Sequence, residues 1–213
     1  MRKSALYILT ILLAASACNK TVMAPGQMGV VTLSIASDVE AVVSTKADDA
    51  VDYDSFLINI AGRTFIGNTY SSDYVYGDMT GNVPVPYGTY VISAQSCTED
   101  YAEDANDGDG CVRFAGASAS FDVLSAEPVP VSVTCPMTNA KATLTLDQSF
   151  LDDFADITAS LKIGERVVQV PLTQENPSGG QEIYFNVPET GGSLIYTVTA
   201  KICKGTAQER TLT

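Results

Sequence analysis

The chain of 213 residues contains no histidine and no tryptophan. Without an imidazole, the Ser-His-Asp and Cys-His nucleophilic arrangements and every histidine-bearing zinc site are unavailable. A hydrolase working through two carboxylates would survive that loss. No acidic pair stands out from the general acidity, so the expectation is a protein that is not an enzyme. Positive charge is scarce too: Lys and Arg number 12 against 25 Asp and Glu, a net charge of −13. This balance opposes nucleic acid and anionic lipid headgroups, and it keeps an exposed protein soluble. Long apolar runs are absent apart from Ala5 to Ala15 near the N-terminus, which is too short to cross a bilayer as a helix. Beyond that run no apolar pattern keeps a 3.6-residue period, which excludes a helical bundle.

What is present begins with the first residues. Arg2 and Lys3 precede the apolar run, which ends in Ala15-Ser16-Ala17-Cys18, the layout of an export signal. The small residues leading into a cysteine resemble the lipobox of bacterial lipoproteins, with Ala15 where that family usually has Leu. The resemblance implies removal of residues 1–17 and acylation of Cys18, followed by a lipidated tether over 18–28. It places the protein at the outer membrane, on the cell-surface or the periplasmic face. Ordinary secretion with cleavage after Ala17, and a retained anchor, are the competing readings. Asn19-Lys20-Thr21 lacks the acidic residues that often follow the cysteine in surface-exported lipoproteins of the Bacteroides group. With 46% hydrophobic residues, the rest of the chain is long enough for one β-rich domain or two small ones.

The body of the chain alternates. Val31, Leu33 and Ile35 oppose Thr32 and Ser34; Phe56, Ile58 and Ile60 oppose Leu57 and Asn59; Tyr90, Ile92 and Ala94 follow a Pro86-Tyr87-Gly88 turn. Further strands are expected at Val112 to Phe114, around Phe121 and Val123, and from Val129 to Cys135, where Pro130 argues for an edge. A break at Pro136 to Asn139 marks the expected boundary between domains 29–137 and 138–213. The second series runs through Ala142, Leu144 and Leu146, a helical turn near Phe150 to Phe154, Ile157 to Leu161, Val167 to Val170, Ile183 to Val187 and Leu194 to Ile202. A last strand start at Glu209 to Thr213 is either an edge or the sign of an incomplete second domain. Short strands separated by turns predict an all-β fold of two small sandwich domains, Greek-key in type.

Three stretches are candidates for a site. Tyr70, Tyr74 and Tyr76 lie in an aperiodic segment expected to be a loop, where they either present a ligand face for glycan or protein or lie over their own sandwich. Asp104, Asn106, Asp107 and Asp109 are hard oxygen ligands on a glycine-bearing turn, calcium chemistry in type, but their spacing departs from the EF-hand loop. The other reading of Thr98 to Gly110 is a solvated acidic loop. Cys97 and Cys111 flank that segment and are the favoured disulfide, while Cys135 and Cys203 either pair or remain buried thiols.

The lipobox, Thr45-Lys46-Ala47, Pro86-Tyr87-Gly88-Thr89-Tyr90 and Val133-Thr134-Cys135-Pro136-Met137-Thr138-Asn139-Ala140 together resemble a Bacteroides-type lipoprotein family defined by a domain of unknown function. More distantly the chain is similar to the fimbrillins that build Bacteroides-type pili. That resemblance implies two transthyretin-like domains, proteolysis after Lys46, loss of the first strand, and addition of another subunit's strand in its place. The expected function is thus a non-enzymatic, lipid-anchored envelope protein in adhesion or fimbria-like assembly, with other pilus or envelope subunits as partners. The alternative is a surface module binding glycan or calcium.

Overall fold

The computed structural model describes residues 26–37, 51–173, 176–188 and 191–202, and the backbone of 209–212. Cys18, Lys46 and Cys203 lie outside the described residues.

Alternating apolar residues set the first strands. In β1 (Met28–Ala36) the side chains of Val31 and Leu33 are buried while Thr32 and Ser34 are not. β2 (Leu57–Thr64) buries Ile58 and Ile60 in the same manner. β3 (Thr69–Val75), β4 (Val83–Pro86), β5 (Gly88–Gln95), β6 (Ala115–Ala117), β7 (Phe121–Val123) and β8 (Pro128–Thr134) follow. One sheet has the order β4-β1-β8; the other runs β3-β2-β5-β6, with β7 also pairing β5. Val31, Leu33, Val83, Val85, Val131 and Val133 from the first sheet share one buried cluster with Ile58, Ile60, Tyr90 and Ile92 from the second. Two sheets closing on a common apolar layer form a sandwich.

β1 is the centre of the smaller sheet. It pairs antiparallel with β4, with Val31 opposite Val83, and parallel with β8, with Leu33 opposite Val131 and Ile35 opposite Val133. The β1–β8 ladder is the one parallel pairing among the described residues. β8 stands at the end of that sheet, where Pro130 costs no interior ladder bond.

A second cluster begins at Ala142. β9 (Asn139–Thr145) pairs with β12 (Gly179–Asn186). β10 (Phe154–Ile163) lies between β11 (Arg166–Val170) and β13 (Ile195–Ile202), and β14 (Glu209–Leu212) pairs with β13 at the sheet's end. Ala142, Ile183 and Phe185 from the short sheet pack with Ala159, Leu161, Val170 and Val198 from the longer one. The fold is all-β; among the described residues there are two α-helices of one to two turns, α1 (Glu99–Asp104) and α2 (Gln148–Asp153). Asp147 caps α2 by accepting from the Ser149 N–H at 2.9 Å, and Thr98 caps α1 by accepting from the Tyr101 N–H at 3.3 Å.

Three segments differ from the sequence expectation. The tyrosine stretch is a strand, β3, because β2 supplies a full antiparallel register from Leu57 opposite Val75 to Arg63 opposite Thr69. Its inward positions include Ser72, which masks the alternation of Tyr70 and Tyr74. Val112 to Phe114 is not a strand: only Phe114 makes a bridge, with Met137, and pairing to β5 starts at Ala115. Thr98 to Gly110 is not a loop throughout but α1 followed by a tight turn, with Glu99, Asp100, Asp104 and Asp107 exposed to solvent.

Candidate functional site

The acidic segment is where the two cores meet. After α1 the chain turns through Asn106 (φ 53), Asp107 (φ 59) and Gly108 (φ 92), three consecutive left-handed residues. Asn106 steadies the turn by donating its Nδ2–H to the Gly110 carbonyl at 2.8 Å. Gly110 itself is pinned: its φ is 84°, and a Cβ there would come within 2.7 Å of the Ala102 oxygen and 2.8 Å of the Tyr184 oxygen. No residue larger than glycine fits between α1 and β12 at this point.

Most of the segment's contacts use backbone carbonyls rather than carboxylates. Arg166, at the start of β11, donates to the carbonyls of Glu103 at 2.5 Å, Gly108 at 2.6 Å and, in a short contact, Tyr184. Its guanidinium also lies 3.7 Å from the Glu103 carboxylate and 5.1 Å from the centre of the Phe185 ring. The planar fork of arginine suits such a cluster of acceptors, and the ring face adds a cation–π contact. The Tyr184 N–H donates to the Asp109 carbonyl at 2.7 Å, the Asn186 N–H to the Glu103 carboxylate at 3.0 Å, and Asn186 Nδ2 to the Glu99 carbonyl at 3.0 Å. A second arginine holds the other side: Arg113 donates to the Cys97 carbonyl at 3.1 Å and to Gln95 at 3.0 Å, and pairs with Glu99 at 3.3 Å. Asn139, buried at the junction of the two cores, accepts from the Arg113 N–H at 3.0 Å and donates to the Cys111 carbonyl at 2.7 Å.

The four oxygen-ligand candidates are divided by this arrangement. Asp104, Asn106 and Asp107 are exposed, whereas Asp109 is half-buried and accepts a short hydrogen bond from Gln181 Nε2. Burial pushes the Asp109 carboxyl up from the ordinary range, the neighbouring Asp107 charge adds to this, and Arg166 offsets part of it. Among the described residues, no group of three or more His, Cys, Asp or Glu is placed to hold a metal ion.

Cys97 and Cys111 are brought together at the base of the segment as half-buried thiols within hydrogen-bonding reach of each other. Burial pushes the Cys111 thiol up, and the adjacent Cys97 adds to the shift. Cys135 is fully buried and its thiol lies 3.7 Å from the Ala94 carbonyl.

Tyr70, Tyr74 and Tyr76 are also brought together, on the core-facing side of the first sandwich. Each is partly buried against the first cluster. Tyr70 meets Tyr90 edge to face with centroids 5.5 Å apart, its hydroxyl lies 3.4 Å from that of Tyr74, and Tyr76 donates to the Leu33 carbonyl at 3.4 Å. On the opposite face of the same sheet a shallow groove is lined by Leu57, Asn59, Asp73, Ser93, Gln95 and Arg113. Asn59 there donates to Ser71 and Asp73, so part of its polar lining is already engaged within the sheet.

Arg113, Arg166 and Asn139 were missed by sequence reasoning. The available signal was their rarity: in a chain so poor in cations, an arginine opening a strand and another two residues after Cys111 are exceptions to the acidic background. Among the described residues no helix is long and apolar enough to cross a membrane.

No curated protein matches the chain. Two solved structures from Bacteroides ovatus are similar to it at low identity. One, described as "a putative adhesin", is 10% identical over 87% of this chain and 81% of its own, with a TM-score of 0.46. The other, "a putative cell adhesion protein", is 14% identical over 87% and 86%, with a TM-score of 0.31. Neither likeness transfers a residue or a role to this chain. Residues 27–212, which take in every described strand of both cores, match the domain of unknown function DUF4493, and the chain belongs to that family.

Proposed function

We propose that this protein is a non-enzymatic, lipid-anchored component of the cell envelope, held through Cys18 at the outer membrane, that serves adhesion by fimbria-like strand exchange. The observation that carries this reading is the position of β1. It is the first described strand, yet it occupies the middle of its sheet, between β4 and β8. The segment 38–50, which contains Lys46, follows it directly. A cut after Lys46 would leave β1 attached by pairing alone. Its departure would expose Val83, Val85, Val131 and Val133 and two ladder edges, a groove shaped for an incoming strand.

The donor would come from the C-terminal segment. β13 is committed to its own chain, since it pairs on both sides and buries Val198 and Ala200. β14 stands at a sheet end and pairs with β13 only, so β14 is the better donor.

Intact-mass analysis and negative-stain microscopy of protein taken from its native envelope test the reading. A mass beginning at Ala47, found in filaments, is expected. A full-length acylated chain without filaments would remove strand exchange and leave the anchor; a chain that still begins upstream of Lys46 yet carries no acyl group would remove the anchor.

A further inference from the structure

We propose that Cys97 and Cys111 form a disulfide-forming site that locks the acidic segment, taking its oxidising equivalents from a small or protein disulfide. The two cysteines stand where the segment leaves and rejoins the first sandwich. Around them the backbone is already closed. The Ser96 N–H donates to the Phe114 carbonyl at 2.8 Å, the Cys111 N–H to the Ala102 carbonyl at 2.8 Å, and Arg113 to the Cys97 carbonyl at 3.1 Å. Linking two thiols that flank a backbone already closed in this way asks for little movement. Cys135, by contrast, is buried in the first core, out of reach of an oxidant in solution.

The chemistry is an exchange. Cys97, whose Sγ lies 3.8 Å from the Ser96 hydroxyl, gives up its proton to solvent and attacks first. Attack on one sulfur of the oxidant forms a mixed disulfide and releases the first thiol. Cys111 then gives up its proton to solvent and attacks Cys97 Sγ, displacing the second thiol. Two protein thiols are oxidised and one disulfide is reduced to two thiols.

The consequence reaches the second core. Between the two cysteines lie the Glu99, Glu103, Gly108 and Asp109 carbonyls that receive Asn186, Arg166 and Tyr184. Closing the base of the segment holds these acceptors in place before the second core packs against them.

The full chain, reduced and then exposed to glutathione disulfide at neutral pH, provides the test, read by non-reducing peptide mapping and amide hydrogen exchange. A Cys97–Cys111 linked peptide is expected, with Cys135 alkylated only after denaturation and with slower exchange across 99–110 in the oxidised form. Cys97→Ser should abolish the link and make exchange in that segment insensitive to the oxidant, while exchange in β2 and β5 reports that the first core is still folded. Thiols at 97 and 111 that both stay free, or pair instead with Cys135 or Cys203, would overturn the site. A link that forms without altering exchange across 99–110 would overturn the lock.

Discussion

Tyr90 lies on β5 inside the first sandwich, its ring against those of Tyr70 and Phe121. Its place in the alternation Tyr90, Ile92, Ala94 marks it as inward, and it is 1% exposed. The hydroxyl is satisfied at depth by donating to the Pro86 carbonyl at 2.7 Å. Burial raises its pKa to about 12, with a further contribution from Tyr70. The folded state therefore keeps a proton that the unfolded chain releases near 10, so the contribution of Tyr90 to stability is complete below pH 10 and is lost as pH rises towards 12. Absorbance titration of the phenolates should show a component ionising near 12 that is missing in Tyr90→Phe. If Tyr90→Phe leaves the alkaline limb of the titration unchanged, the hydroxyl is not held as described. The tyrosines in and just after β3 were harder to read. Whether Tyr70, Tyr74 and Tyr76 face outward or inward depends on which face β2 turns towards β1, and no local pattern carries that information.

At the scale of elements, β1 was recognised from its alternation, and so were most other strands, because half-buried β-structure writes its two faces into the sequence. The exceptions share a cause. β3 has serine on both faces, at Ser71 and Ser72, and β6 is three small residues, Ala115 to Ala117, with too little side chain to record a face. What alternation could not give was the neighbour of β1. A strand at the start of the chain is by default an edge or a hairpin partner. Here it is central, since β8 returns to lie parallel beside it after all the strands between. Leu33, 8% exposed between those neighbours, should therefore behave as a core residue of the whole first sandwich. Leu33→Ala is expected to destabilise by about 2–4 kcal/mol, read as a fall in the urea midpoint with an unchanged slope. A loss below about 1 kcal/mol would place Leu33 at a frayed edge instead.

At the scale of the molecule, the two apolar clusters are joined through a polar contact in which Arg166 is the central donor. Removing it leaves the carbonyls of Glu103, Gly108 and Tyr184 without that partner and the Glu103 carboxylate without its cation. Arg166→Ala should cost about 2–4 kcal/mol, and Arg166→Lys should recover only part of this because a single ammonium cannot match the fork. Calorimetry should show the melting of the two clusters drawn apart into a broader or divided transition; a sharp single transition in Arg166→Ala would mean that the coupling lies elsewhere. By itself, the sequence determined the all-β class and the positions of most strands, because each rests on a short-range pattern of burial. Only the tertiary structure decided that β1 is central, that the tyrosines face the core, and that the acidic segment spends its carbonyls on Arg166. Those outcomes join residues far apart along the chain, and the hydrogen-bond acceptors concerned are backbone atoms, which every residue carries alike and which composition therefore cannot reveal.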